Sequence, residues 1–262
     1  MSMEKSESIV LRTYPWSETS LIVSLFTRDQ GKVSVLAKGA RRPKSPFEAA
    51  LDLLSTCSVV FIAKSTDSLD ILTEAKLQRR FRAGNRNLLQ LYCGYYVAEL
   101  VDYLTDKGDP QPDVFTLCQR TLNELDTDTQ DPRAVILRFE LQMLRMTGNL
   151  PSLQRCTQCD RSVGNEEQAH DEWTLFSPWA GGVVCTQCRL GVRQLTQISR
   201  NIHKTLILFS DPHWENIATN HFPLASQPSQ DRSVIRKVIT RYLMFLLDRK
   251  FNLHPYLEEL GR

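Results

Sequence analysis

The chain has 262 residues, of which 42% are hydrophobic and 24% charged, as is typical of a globular protein with one large domain or several small ones. No apolar run approaches the roughly 20 residues of a membrane span, and the acidic start, Met1–Glu7, lacks the apolar stretch of a signal peptide. We therefore expect a cytoplasmic protein that has no membrane contact. Residues 1–80 and 196–262 each carry a net charge of +3, whereas 81–155 and 156–195 each carry −2, so a polyanion should bind towards the two ends.

The first third of the chain has the alternating pattern of β-strands. Five strands are predicted, over residues 8–12, 19–27, 32–38, 56–63 and 69–77. Gly31 lies in the turn before the third strand and is free to take a positive φ there. Five short antiparallel strands with a basic connection after the third favour a small closed barrel, such as the OB-fold.

A helical period begins near residue 85. Apolar residues three and four apart predict helices over 88–104, 113–125, 131–146, 199–210 and 231–248. Pro112 fits the first turn of the second helix, and Asp131 fits the N-cap of the third. A loop rich in Ser, Pro and Gln, 225–230, separates the last two helices.

Two Cys-x-x-Cys pairs, Cys156/Cys159 and Cys185/Cys188, are separated by 25 residues. Each pair points two thiolates at one centre, and two pairs supply the four ligands of a tetrahedral Zn²⁺ site. The stretch 173–185 predicts a hairpin of the zinc-ribbon type. Because four cysteines fill the coordination shell, we predict a structural zinc; a redox dithiol is the alternative, although two pairs argue against it.

The other three cysteines, Cys57, Cys93 and Cys118, lie in apolar stretches and are predicted to be buried free thiols. A catalytic thiol is the less favoured alternative, because no histidine is near any of them. The sequence also lacks a phosphate-binding glycine loop, a Gly-x-Ser-x-Gly motif and a carboxylate cluster beside a nucleophile. We therefore expect that the protein is not an enzyme.

A basic loop follows the third predicted strand and holds four cations in seven residues, Lys38–Lys44. On an OB-fold such a loop contacts the phosphates of a nucleic acid, although a charge run is often only solvated surface. A second basic run continues from residue 76 to residue 86, either as part of the same surface or as a solvated linker. The predicted DNA-binding residues are Lys32, Lys38, Arg41, Arg42, Lys44, Arg79, Arg80 and Arg82. Tyr14 and Trp16 could stack on bases or pack on the barrel mouth.

These segments, in this order, resemble the RecO family of bacterial recombination mediators. The residues that carry the resemblance are Ile9–Thr13, Trp16–Val23, Leu25–Arg28, Gly31–Val33, Ala37–Ser45, Thr147–Pro151, Phe176–Pro178, Gly181–Gly182 and the two cysteine pairs. The resemblance implies an α+β protein of several domains: an N-terminal OB-fold β-barrel and a C-terminal α-helical domain with an inserted four-cysteine zinc-ribbon-like module. The corresponding boundaries are 1–80, 81–150, 151–192 and 193–262.

The resemblance also implies a function in DNA repair and homologous recombination in the bacterial cytoplasm, associated with the nucleoid. It implies binding of single- and double-stranded DNA, annealing of complementary strands, and partnership with RecR and with the C-terminal tail of the single-stranded-DNA-binding protein (SSB). Through these contacts the RecFOR pathway would load RecA on SSB-coated gaps. A basic face of the last helix, Arg232, Arg236, Lys237 and Arg241, would suit the acidic SSB tail or be solvated. Some relatives lack the cysteines, which supports a structural zinc.

Two other function classes remain open. A zinc-dependent nucleic-acid hydrolase or deaminase would need an open metal site and a general base, for which Glu166 or Glu167 are candidates. A protein-interaction scaffold stabilised by zinc would bind partners through its helices, and its contact with DNA would be incidental.

Overall fold

The computed structural model describes residues 2–47, 50–64, 68–85, 87–127, 130–163, 173–213, 224, 227–253 and 256. The chain divides into two compact units, Met1–Thr129 and Gln130–Arg262, which we call unit 1 and unit 2. This division falls inside the segment 81–150 that the sequence assigns to one helical part. Among the described residues, no helix has both the length and the apolarity needed to cross a membrane.

A closed five-stranded barrel forms the first part of unit 1. Its strands are β1 (Ser2–Pro15), β2 (Leu21–Thr27), β3 (Gly31–Ala37), β4 (Thr56–Ala63) and β5 (Asp70–Arg79). They follow the order β1-β2-β3-β5-β4, and β1 closes the barrel by pairing with both β2 and β4. All pairs are antiparallel except β3 with β5. This topology confirms the predicted OB-fold.

The barrel core follows the predicted alternation. In β3 the side chains of Val33, Val35 and Ala37 point inward and are buried, and they join a core that includes Val23 and Phe61. β1 begins six residues earlier than predicted, at Ser2, because its first residues pair with β4 while most of their side chains stay exposed. A strand of this kind has main-chain hydrogen-bond partners, but its sequence lacks the alternation of apolar residues that predicts a strand.

Two helices, α1 (Leu88–Leu104) and α2 (Pro112–Thr127), pack on the barrel within unit 1. The loop between them lies on the β2–β3 turn, where the backbone N–H of Gly108 donates to the carbonyl of Lys32 at 3.0 Å. Gly31 has a φ of +63°, and a Cβ there would lie 2.1 Å from the Asp109 oxygen. Phe115 of α2 also contacts Phe26 of β2, with ring centroids 6.0 Å apart. The barrel and its two helices therefore form one packed body.

The predicted apolar stripe of α1 is only partly buried. Leu88 is 59% exposed, whereas Tyr96 and Leu100 are in the core. Gly94 allows the helix to approach the barrel closely, since a Cβ there would lie 2.8 Å from side-chain atoms of Leu54 and Phe81.

In its described residues, unit 2 combines three α-helices with a small sheet. Its elements are α3 (Pro132–Met146), β6 (Trp173–Ser177), β7 (Gly182–Val184), β8 (Thr196–Ser199), α4 (Arg200–Ser210) and α5 (Ser229–Leu247). The strands form an antiparallel sheet in the order β7-β6-β8. β8 was not predicted, because Ile198 is its one buried residue and the strand has no clear period. In the predicted loop at 225–230, residues 225 and 226 lie outside the described residues, and α5 begins at Ser229.

Candidate nucleic-acid interface and metal centre

The basic loop after β3 is a series of turns that hold its cations in solvent. The backbone N–H of Arg42 donates to the Gly39 carbonyl at 3.1 Å, and the N–H of Ser45 donates to the Arg42 carbonyl at 3.1 Å. Gly39 and Lys44 both have positive φ values. Tight turns of this kind project side chains outward rather than into the barrel. All four cations of the loop are exposed: Lys38, Arg41, Arg42 and Lys44.

Main-chain contacts tie the basic loop to the β1–β2 turn. The backbone N–H of Arg41 donates to the Thr19 carbonyl at 3.0 Å, and its guanidinium donates to the Ser17 carbonyl at 3.2 Å. The turn carries Trp16, which is 62% exposed, and β1 ends near Tyr14, which is 49% exposed. Of the two predictions for these rings, exposure supports the one in which they are free to stack on bases.

A cleft of about 290 Å³ opens beside the basic loop. Apolar side chains form part of its wall, and the cations of the loop form another part. The lining residues include Leu21, Phe47 and Leu51 together with Arg41, Arg42 and Lys44. Phe47 and Leu51 are buried. The cleft is therefore mainly polar, and its three positive charges suit a phosphate of a nucleic acid.

Lys32 has a different environment from the other predicted DNA-binding residues. Its Nζ donates to the backbone carbonyl of Asp102 at 2.5 Å and lies 3.1 Å from the carboxylate of the same residue. Only 16% of its side chain is exposed. Arg12 pairs with the same carboxylate at 2.9 Å. Lys32 therefore joins the barrel to α1, and a phosphate contact by its ammonium would have to compete with Asp102.

The second basic run is partly neutralised by acids of unit 1. Arg79 pairs with Asp126 at 3.3 Å, and Arg80 pairs with Asp52 at 3.1 Å. Arg82 is exposed, and its backbone N–H donates to Asp126 at 2.8 Å. About 40% of each of the Arg79 and Arg80 side chains is exposed, so both can still reach a phosphate. Arg86, the last cation of the run, lies outside the described residues.

The two cysteine pairs converge on one point of unit 2. Two hydrogen bonds join the segments that carry the pairs: the backbone N–H of Thr157 donates to the Val183 carbonyl at 3.0 Å, and the backbone N–H of Cys185 donates to the Cys156 sulfur at 3.3 Å. β6 and β7 form the predicted hairpin, Trp173–Val184, between the pairs. The four Sγ atoms all lie within 4.8 Å of one another.

The sulfur cluster has the dimensions of a tetrahedral metal site. The Sγ atoms of Cys159 and Cys185 are 3.8 Å apart, and a regular tetrahedron with metal–sulfur bonds of about 2.3 Å has an edge of about 3.8 Å. Cys156 is buried, Cys159 is exposed, and the other two are half-buried. The four cysteines therefore fit one metal ion at the surface of unit 2.

The pKa values of two thiols show why this cluster suits a cation. Burial raises the pKa of Cys156, but the backbone N–H groups of Cys185, Gln158 and Cys159 outweigh it and lower that pKa to about 6. Hydrogen bonds with the side chains of Cys185 and Cys159 raise the pKa of Cys188 to about 12. Four sulfurs this close cannot all become thiolates without a neutralising charge. A divalent metal ion supplies that charge.

Known families match both halves of the chain. The family described as "Recombination protein O N terminal" matches residues 1–81, and "Recombination protein O C terminal" matches residues 85–254. The chain belongs to the RecO family. Curated relatives called "DNA repair protein RecO" include those of Rhodopirellula baltica, Symbiobacterium thermophilum and Anaeromyxobacter dehalogenans.

The extent of similarity differs among these RecO relatives. The Rhodopirellula protein is 46% identical over 70% of this chain and 66% of its own length, just under two thirds. The Symbiobacterium protein is 34% identical over 72% of each chain. The Anaeromyxobacter protein is 29% identical over 100% of this chain and 98% of its own. All three relatives are named as DNA repair proteins.

The structure also tests two predictions about residues outside the cysteine cluster of this RecO chain. The free thiols of Cys57, Cys93 and Cys118 are buried, as predicted, and burial raises the pKa of Cys57 and Cys118. The basic face of α5 is interrupted, because Arg236 points inward and makes a bidentate pair with Glu140 at 2.5 and 3.0 Å. Glu166 and Glu167, proposed as general bases, lie outside the described residues.

Proposed function

We propose that the chain is a non-enzymatic recombination mediator that binds single- and double-stranded DNA through the basic loop of its OB-fold. The observation that carries this proposal is the set of exposed cations that line a cleft beside the basic loop, next to the exposed ring of Trp16. These cations neutralise phosphates and release condensed counterions, which favours binding to any sequence. Stacking on unpaired bases adds a preference that does not depend on base identity.

Charge neutralisation also supports strand annealing. Two single strands repel each other, and a protein that holds one of them on a cationic surface removes part of that repulsion. Within the proposal, RecR and the SSB tail bring the mediator to SSB-coated gaps, where it helps load RecA. Lys237 and Arg241 remain exposed on α5 and support binding of an acidic tail more than Arg236 does.

Charge reversal in the basic loop tests the DNA-binding surface. R41E/R42E should weaken binding to a single-stranded oligonucleotide more than tenfold, whereas K5E/K107E should change it little. The control makes the same change in net charge at two exposed lysines of the same unit. Equal losses for the two variants would show that only overall charge matters and would refute the proposed surface.

The salt dependence gives an independent measure. If Arg41, Arg42 and Lys44 each contact one phosphate, R41Q/R42Q/K44Q should reduce the slope of log K against log salt by about 2, since each single-strand phosphate contact contributes about 0.7. An unchanged slope would mean that these side chains are not at the phosphates.

We also propose that the metal is Zn²⁺ and that it is structural. The four cysteines would hold the ion, which would supply crosslinking between the two pairs and neutralise their thiolates. A shell of four cysteines keeps no position for water, which counts against a hydrolase or deaminase. Turnover of a nucleic acid by the purified protein would overturn this assignment.

A further inference from the structure

Unit 2 presents an aromatic pair to solvent, beside its small sheet. The Trp179 side chain, in the β6–β7 turn, is 51% exposed, and Phe245, near the end of α5, is 42% exposed. Their ring centroids are 5.1 Å apart at an interplanar angle of 42°. The guanidinium of Arg193 lies over the Trp179 ring, 5.8 Å from its centroid. We call Trp179, Phe245 and Arg193 the aromatic platform.

The surrounding structure holds this platform in place. The hydroxyl of Ser177 donates to the Arg193 carbonyl at 2.7 Å and accepts from the Ala180 N–H at 3.2 Å. Beneath the turn, Phe176 meets Tyr242 of α5 edge-on with centroids 6.0 Å apart. The rings therefore sit on buried supports from β6 and α5, and a ligand would not have to order them.

The charges around the platform favour an anionic ligand. Arg241 is exposed one turn before Phe245 on α5, and the three residues that follow the helix are Asp248, Arg249 and Lys250. Three cations against one acid therefore accompany Phe245, in addition to Arg193 on the other ring. Exposed aromatic surface at such a position marks an interaction site.

We propose that the aromatic platform is a second DNA contact, selective for single strands, in which unpaired bases stack on Trp179 and Phe245 while the arginines contact the adjoining phosphates. Flat bases and negative charges alternate along a single strand, which matches rings that are flanked by cations. A duplex hides its base faces in the stack, so it could offer only phosphates. This proposal rests on the proposed function and adds a site in unit 2 to the surface of the barrel.

Photocrosslinking of the full chain tests the position directly. An oligothymidine that carries 5-iodouracil should crosslink to Trp179 or Phe245, as located by mass spectrometry, in wild-type protein and in R41E/R42E. Crosslinks confined to unit 1 would overturn the platform but keep the proposed function. A wild-type protein that binds no DNA would overturn both.

Affinity measurements separate stacking from charge. In the R41E/R42E background, W179A/F245A should weaken single-strand binding by about 5-fold to 150-fold, the effect of losing one stacked base. Duplex affinity and the salt slope should not change, because both removed side chains are neutral. W179F/F245Y should restore binding, and the control L190A, which truncates a side chain that is 87% exposed, should leave it unaltered.

Two other sets of results would contradict the proposal. Single-strand affinity that stays unchanged in W179A/F245A, together with no crosslink in unit 2, would overturn the proposal and assign the exposed rings to a protein partner. An equal loss of duplex and single-strand affinity would overturn the stacking role. Hydrogen exchange of α5 in each variant shows whether unit 2 has kept its fold.

Discussion

The pair between Glu140 of α3 and Arg236 of α5 should be the most sensitive charged contact to truncation in unit 2. The Glu140 side chain is 0% exposed and that of Arg236 is 14% exposed. Replacing either residue by methionine keeps much of the volume but removes one member of this buried ion pair. Removal of one member of such a pair costs about 3–5 kcal/mol, whereas replacing both with apolar residues is often neutral. We therefore expect E140M and R236M to be strongly destabilising and E140M/R236M to recover most of the loss.

Hydrogen exchange of the α3 and α5 amides is the appropriate assay, because global unfolding of a protein with two units is not a two-state process. A loss of 3–5 kcal/mol corresponds to exchange that is about 140-fold to 3,700-fold faster, at 1.4 kcal/mol per factor of ten. The exchange of unit 1 should be unaffected. A double variant that loses as much as the two single variants together would refute the reasoning, since it would show that the two residues do not act on each other.

The two single variants should also differ in their response to pH. In R236M the side chain that loses its partner is a carboxylate, which becomes neutral when it takes up a proton, so the defect should shrink as the pH falls. The guanidinium that E140M leaves behind stays charged at every accessible pH, so its defect should persist. Equal pH profiles for E140M and R236M would mean that the cost comes from packing rather than from charge.

Three further predictions concern the barrel turn, the pH response of unit 2 and the metal. G31A should destabilise unit 1 by several kcal/mol, because a Cβ would meet the Asp109 backbone at 2.1 Å, whereas the control G108A, which has a φ of +72° and nothing within 4 Å, should cost about 1 kcal/mol; hydrogen exchange of the barrel amides measures both losses. Burial lowers the pKa of His203 below 6.5, so the unfolded state gains the proton first and unit 2 should lose stability as the pH falls through 6.5; H203Q should flatten that dependence, and an unchanged slope would contradict it. C185S/C188S or a chelator should remove the metal and speed hydrogen exchange in residues 151–199, while DNA binding by the barrel persists. If a folded variant lost DNA binding, the assignment of that binding to the barrel would be wrong.

The elements that could be predicted from the sequence are those in which apolar residues recur with the period of a strand or a helix. β3 alternates buried and half-buried residues along its whole length, and the cap of α3 is visible as Asp131, whose side chain accepts from the N–H of Arg133. β8 and the first half of β1 were missed because their identity depends on main-chain partners, which leave no pattern in the sequence. The period of apolar residues in a sequence reflects the burial of their side chains. A strand that pairs through its main chain without burying its side chains therefore cannot be predicted from that period.

The same distinction applies to the candidate sites. Cysteine spacing was enough to predict the metal centre, because each pair is a local turn and its geometry hardly depends on the rest of the fold. Charge was less informative: Lys32 and Arg236 were both predicted to lie on basic surfaces, yet each is paired with an acid distant in the chain, Asp102 and Glu140. Only the tertiary structure separates cations that hold the protein together from cations that are free for a ligand.

The placement of the free cations and exposed rings bears on how such a protein could anneal DNA. A single cationic surface neutralises one strand at a time, and a second strand must then be bound elsewhere or supplied by another molecule. The basic loop of unit 1 and the aromatic platform of unit 2 differ in chemistry, the first dominated by charge and the second by stacking. A strand on the platform has its bases engaged with protein rings, so pairing with a complement requires its release. We therefore expect W179A/F245A to change the rate of annealing of complementary oligonucleotides as well as single-strand affinity, and equal annealing rates for this variant and wild type would show that the platform, if it binds DNA, takes no part in pairing.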